Sequence, residues 1–144
     1  MKPLYKKITF FSVLTFCLVL LDQLTKYLIY HYQPFWSTSF LQIHFTKNTG
    51  AGFGLLSQYT FLLTIISILV TAFIIYYYPK IPKETFPQLA ASLFLAGTIG
   101  NLIDRLARKF VIDFIDFSFW PAFNLADTCI TLGALGLIIY FWKK

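Results

Sequence analysis

Charge is scarce in this 144-residue chain: Lys and Arg number 12, Asp and Glu only 6, and together they make 12% of the residues. A soluble domain carries roughly 25% charged residues. So few charges cannot cover a water-facing surface, which points to a bilayer as the solvent. Cysteine is scarce as well. Cys17 and Cys129 both lie inside apolar runs and form no C-x-x-C, so a metal or redox motif is not expected. They read as small apolar core residues. The chain also has no H-E-x-x-H and no G-x-S-x-G, and neither His31 nor His44 has a serine beside it. Zinc-peptidase and serine-hydrolase chemistry therefore have nothing to stand on, and the two histidines read as interfacial. There is no repeat, no flexible linker and no low-complexity tract, so residues 1–144 form one expected domain.

What the chain has in quantity is hydrophobic residues, 58%, of which many are aromatic. Four long apolar stretches cover residues 8–30, 59–78, 86–103 and 123–142. Each approaches the ~20 residues that a helix needs to cross about 30 Å of hydrocarbon. Spanning helices satisfy their own backbone hydrogen bonds. The expected fold is thus an all-α polytopic membrane protein with four transmembrane helices. Its basic start, 1–7, followed by an apolar run, resembles a secretory signal peptide. No A-x-A site follows, and the helical pattern continues through Asp22, Gln23 and Lys26, so the run reads as a retained span.

The net charge is +6. The lysines cluster at the ends of apolar runs, which suits topology and anionic phospholipid headgroups rather than nucleic acid. Lys2, Lys6, Lys7, Lys80, Lys83, Lys143 and Lys144 fall on one side, expected to be cytoplasmic. Lys26, Lys47, Arg105, Arg108 and Lys109 fall on the other. Both termini are then cytoplasmic, and the segments 31–58 and 104–122 face outward. These outer segments are expected to be small β or amphipathic elements: Leu41, Ile43 and Phe45 alternate with Gln42 and His44, and residues 110–119 are rich in Phe, Val and Ile.

Of the six acidic residues, Glu84 sits in the cytoplasmic loop. The five aspartates, Asp22, Asp104, Asp113, Asp116 and Asp127, all fall toward the outer ends of the spans. Ionisable groups at membrane depth are expensive, which makes them functional candidates. Asp22 and Lys26 are i,i+4 and read as a structural pair. Asn101, Asp104 and Arg105 share one face of the third span, just after Gly97 and Gly100, whose small size lets another backbone approach. Asn124 and Asp127 are i,i+3 at the start of the fourth span. Asp113 stands among Val111, Ile112, Phe114 and Ile115 with no countercharge beside it in sequence, and an unpaired carboxyl in such surroundings has its pKa raised. If Asp113 approached Asp127, the two would share a proton, as a general acid/base dyad does.

Five pieces in order resemble the bacterial lipoprotein signal peptidases across nearly the whole chain. They are Leu21-Asp22-Gln23-Leu24-Thr25-Lys26, Lys47-Asn48-Thr49-Gly50-Ala51-Gly52-Phe53-Gly54, and Gly97-Thr98-Ile99-Gly100-Asn101-Leu102-Ile103-Asp104-Arg105. The last two are Val111-Ile112-Asp113-Phe114 and Phe123-Asn124-Leu125-Ala126-Asp127. The resemblance implies an aspartic endopeptidase of the bacterial cytoplasmic (inner) membrane, with its site at the extracytoplasmic face. It would remove the signal peptide from diacylglyceryl-modified prolipoproteins, act as a monomer among membrane phospholipids, and use no metal and no organic cofactor. The family's catalytic pair maps onto Asp113 and Asp127. Asn48, Asn101, Arg105 and Asn124 would bind substrate or support the dyad, and Asp22 and Asp104 would support the fold nearby. Two features depart from the pattern: Thr98 replaces a Gly, and the stretch from Asp113 to Asp127 is compact. The alternatives are a small transporter that uses interfacial aspartates as a proton relay, and a non-catalytic assembly subunit.

Overall fold

The structure is a computed structural model that describes residues 3–50 and 59–143, with side chains described from Lys7 onward. The Ala51–Gly54 part of the second motif lies outside the described residues. Four helices carry the chain: α1 (Pro3–Tyr32), α2 (Thr60–Tyr77), α3 (Thr85–Arg108) and α4 (Leu125–Trp142). Each contains a stretch long and apolar enough to cross a membrane, with mean hydropathy from 1.3 to 2.2. All four expected spans fall on these helices, with shifted ends. The third continues to Arg108, so Asp104 and Arg105 lie inside the helix rather than in a loop. The fourth begins only at Leu125, because Phe123 closes a strand and Asn124 is the helix cap.

α3 has the lowest mean hydropathy of the four spans, 1.3, yet it is the most buried. Its polar side chains explain this. Gln88, Ser92, Thr98, Asn101 and Asp104 are all buried and face other helices instead of lipid, as polar groups in a membrane helix must. α3 packs on α1, α2 and α4. At Gly97, an added Cβ would collide with Ala126 O and Ile130 of α4, and at Gly133 with Ala90 O and Phe94 N of α3. The two backbones therefore touch. Lipid gives no hydrophobic drive for helix association, so such close packing is what holds the pair. At the far end from the sheet, Phe11, Ile74, Ala91 and Leu95 form a core cluster. There the buried Gln88 accepts from Tyr78 Oη at 2.9 Å and donates to Pro82 O at 3.0 Å, fixing the α2–α3 loop.

The two segments between helices at the other end build one sheet. β1 (Trp36–Ser37) and β2 (Leu41–Asn48) follow α1; β3 (Val111–Phe117) and β4 (Trp120–Phe123) follow α3. Their order is β1-β2-β3-β4, all antiparallel. α3 passes into β3 through Lys109, which adopts the left-handed conformation at φ 66° and caps the helix with its N–H on Arg105 O. Ile43 pairs with Ile115 and Thr46 with Asp113, so one extra residue in β2 forms a bulge that interrupts the expected alternation there. β3 keeps its alternation. Ile112 and Phe114 pack with Ile29 of α1 in an apolar cluster, and Asp113 points to the opposite face.

Candidate active site

α1, α3 and α4 converge beneath the sheet on Lys26. This lysine has no exposed surface. Its Nζ lies 2.9 Å from Asp22 Oδ2 and 3.3 Å from Asp104 Oδ2, and donates to Asn101 Oδ1 at 2.9 Å. Removing an ammonium from water costs several kcal/mol, so this set of partners is what makes the position tenable. The expected Asp22–Lys26 pair is present, but Lys26 was also counted among the outward-facing charges, and it is instead the centre of a buried network. The signal for it was its place within an apolar run rather than at the end of one. Asp22 also accepts from the Ala126 N–H at 3.0 Å, tying α1 to the start of α4. Asp104 accepts from Arg108 and, at 3.0 Å, from the Ile112 N–H, tying α3 to β3.

Asn124 connects the remaining groups. As the cap of α4, its Oδ1 accepts from the Asp127 N–H at 2.9 Å, while its own N–H donates to Asp127 Oδ2 at 3.1 Å. This reciprocal capping box satisfies two otherwise orphaned helix donors and fixes the Asp127 side chain. Asn124 Nδ2 reaches Asp113 Oδ1 at 2.7 Å, Asn101 Oδ1 at 3.1 Å and Ile112 O at 3.2 Å. Asn101 Nδ2 donates to Asp127 Oδ1 at 2.8 Å. On β2, Asn48 pairs in register with Val111, so it sits diagonally across from Asp113 on the same face. Its Nδ2 donates to Asp113 Oδ2 at 2.7 Å, and its Oδ1 accepts from the Gly50 N–H. Arg105 Nη2 donates to Gly50 O at 3.4 Å.

Asp113 and Asp127 are thus brought from two different elements to one residue, Asn124, whose side-chain amide donates to Asp113 and whose backbone N–H donates to Asp127. The expectation of an unpaired Asp113 in apolar surroundings needs correcting. Its apolar neighbours Ile112 and Phe114 face away by strand alternation, and the carboxyl receives two amide hydrogen bonds. Its pKa is still pushed up from 3.8 to about 7, chiefly by burial and next by the neighbouring Asp127, against the opposing effect of the two amides and Lys26. Asp116 lies elsewhere, 3.7 Å from His44 on the half-exposed side of the sheet.

A cavity of about 190 Å³ opens on this network, with Asn48, Asn101, Arg105 and Asp127 in its wall and β4 along one side. Asp113, only 1% exposed, lies behind Asn48 and Asn124. A second hollow of about 280 Å³ shares Trp120, Phe123 and Asp127 and continues along α4 over Thr128, Thr131 and Leu132.

Residues 14–143 match the family described as signal peptidase (SPase) II. The chain belongs to the signal peptidase II family. It is 33% identical to a lipoprotein signal peptidase of Halothermothrix orenii over 92% of this chain and 94% of that one. It is 40% identical to a lipoprotein signal peptidase of Caldanaerobacter subterraneus over 85% and 90%. A solved bacterial membrane enzyme superposes with a TM-score of 0.88 at 34% identity, over 94% of this chain and 89% of that one. As a signal peptidase II family member the chain is a peptidase, and its described polar network offers peptide hydrolysis two carboxyls joined through Asn124, a cavity at Asp127, and amide donors fixed from three elements.

Proposed function

We propose that this chain is an aspartic endopeptidase of the bacterial cytoplasmic membrane. It removes the signal peptide from prolipoproteins, cutting before a cysteine that already carries diacylglycerol. Its relatives' names support the substrate class. The observation that carries the chemistry is the pair Asp113 and Asp127, both hydrogen-bonded to Asn124 and one of them with a pKa near neutrality. Two such carboxyls hold one proton between them at neutral pH.

In this reading a water at the cavity sits between the pair. The ionised carboxyl takes a proton from the water as its oxygen attacks the scissile carbonyl carbon. The protonated carboxyl donates a hydrogen bond to the carbonyl oxygen. The tetrahedral intermediate then collapses: the C–N bond breaks, and the amine leaves with a proton from the dyad. Asn48, Asn101 and Asn124 hold the carboxyls, and Arg105 borders the cavity where substrate lies. Asp22, Asp104 and Lys26 keep the three helices in register beneath. The lysine distribution supports cytoplasmic termini and a site at the extracytoplasmic face. A lipidated substrate would reach it laterally from the bilayer, and one chain supplies the whole network, so it acts as a monomer. A proton carrier would need ionisable groups along a path through the spans. Asp22, Asp104, Asp113 and Asp127 join a single network at one end of the bundle, which gives that alternative no footing.

The test is cleavage of a diacylglyceryl-modified prolipoprotein by purified protein in detergent, with the unlipidated form as control. The expected outcome is cleavage of the lipidated form alone, lost in Asp113→Asn and in Asp127→Asn. Cleavage that survives Asp113→Asn in a folded protein would remove Asp113 from the dyad.

A further inference from the structure

The end of the bundle away from the sheet carries a hollow of about 240 Å³. α2 and α4 both pack on α3, and the hollow lies between them. Ile74 and Tyr77 of α2, Phe94 of α3, and Leu137 and Phe141 of α4 line it, with Lys80 from the loop after α2. Ile74, Phe94 and Leu137 also belong to the apolar cluster around Phe11 and Leu95, so the hollow opens directly from that core. Ile74 is the buried residue of α2, and whatever fills the hollow therefore bears on how firmly α2 is held. Lys80 ends a short 3₁₀ turn, Tyr78–Lys80. Its Nζ stands over the Tyr77 ring, 4.6 Å from the centroid, and Lys83 Nζ stands 4.4 Å from that of Tyr78. The loop that carries both is stiff. Pro79 and Pro82 restrict its backbone, and the buried Gln88 grips Tyr78 and Pro82. Neither ammonium pairs with a carboxylate among the described residues. A ring face attracts a cation but leaves its charge in place.

From this we infer that the hollow binds an anionic phospholipid, with an acyl chain between α2 and α4 and the phosphate against Lys80. An apolar hollow does not draw in water, whereas a lipid tail gains contacts on every wall. The charge at its end then chooses among lipids. A neutral lipid leaves Lys80 and Lys83 without a counter-ion, and an anionic headgroup supplies one on a loop already fixed in place. The same charge argues against two other occupants. A signal peptide begins with a basic segment, and a second copy of this chain would bring its own Lys80 and Lys83. The proposed orientation of the chain enters only in naming the leaflet: this end is the cytoplasmic one, so the lipid comes from the inner side of the membrane.

The test uses the intact chain in a neutral detergent and reads thermal unfolding against added lipid, so its outcome does not depend on cleavage. Dioleoyl phosphatidylglycerol is compared with dioleoyl phosphatidylcholine, and glycerol phosphate supplies a headgroup without acyl chains. Binding to the folded chain raises the unfolding midpoint. The expected half-maximal rise comes at about 5-fold less phosphatidylglycerol than phosphatidylcholine, with no rise from glycerol phosphate. Lys80→Gln removes that preference. Lys7→Gln makes the same charge change on α1, away from the hollow, and keeps it. Leu137→Trp, whose ring fills the hollow, blunts the response to both lipids. Equal potency of the two lipids would overturn the site, as would a preference that survives Lys80→Gln or is lost equally in Lys7→Gln. So would a full response to glycerol phosphate, or an unchanged response in a folded Leu137→Trp.

Discussion

Replacing Asp113 with Asn tests the electrostatics of the site through stability as well as activity. The Asp113 carboxyl is 1% exposed, and its pKa rises from 3.8 to about 7 on folding. The folded chain therefore holds the proton more tightly than the unfolded chain does. The destabilisation that this one carboxyl contributes is absent below about pH 4, grows as pH rises through the window from about 4 to 7, and is level above it. At 1.36 kcal/mol per pH unit, the rise from 3.8 to about 7 amounts to about 4 kcal/mol of destabilisation at pH 8, but less than about 1 kcal/mol at pH 4.

An Asn at this position carries no charge and escapes that penalty. It cannot, however, accept from both Asn48 Nδ2 and Asn124 Nδ2, which now reach the two carboxyl oxygens at 2.7 Å each. One amide donor would face another, at a cost of about 1–3 kcal/mol at any pH. The sum changes sign with pH. Asp113→Asn is expected to be more stable than the parent by about 1–3 kcal/mol at pH 8 and less stable by up to about 2 kcal/mol at pH 4. At roughly 3 °C per kcal/mol for a chain of this size, both differences are measurable. The assay is thermal unfolding in detergent at both pH values, followed by tryptophan fluorescence, alongside cleavage of a lipidated substrate, which should be lost throughout. A variant less stable than the parent at pH 8, or a difference that does not vary with pH, would refute the account of Asp113 as a carboxyl burdened by burial and by Asp127.

Two further expectations concern the packing beneath the dyad. Lys26→Met leaves Asp22 and Asp104 buried with one fewer cation, which should cost about 3–5 kcal/mol; adding Asp22→Asn should recover part of it, and thermal unfolding that shows no recovery would mean the lysine's charge is not what the carboxylates need. Gly100→Ala places a methyl 2.5 Å from Asp22 Oδ2 and 3.2 Å from Ala126 Cβ, so it should destabilise by about 1–3 kcal/mol through overpacking, whereas an unfolding midpoint equal to the parent's would show that α1 and α4 yield there without strain.

The helices were legible because hydrocarbon thickness demands long apolar runs, and the strands because alternation and aromatic content marked them. Helix ends were not, since they depend on caps. The spacing of Asn124 and Asp127 put them on one face, but not that each side chain bonds the other's backbone. Apolar letters around Asp113 suggested an apolar pocket, although strand alternation turns those neighbours away from it; sequence adjacency misleads at a period of two. The Asp22–Lys26 pair was legible from its spacing, but its burial was not, because the lysine was counted by side of the membrane before its depth in the run was weighed. That same depth offers a rule for chains of this kind. Where lipid is the solvent, the least hydropathic spanning helix must be the one most enclosed by protein. α3 carries Gln88, Ser92, Thr98, Asn101 and Asp104, so its polar composition already places it at the centre of the bundle, and any site built from buried polar groups must form where α3 meets its neighbours.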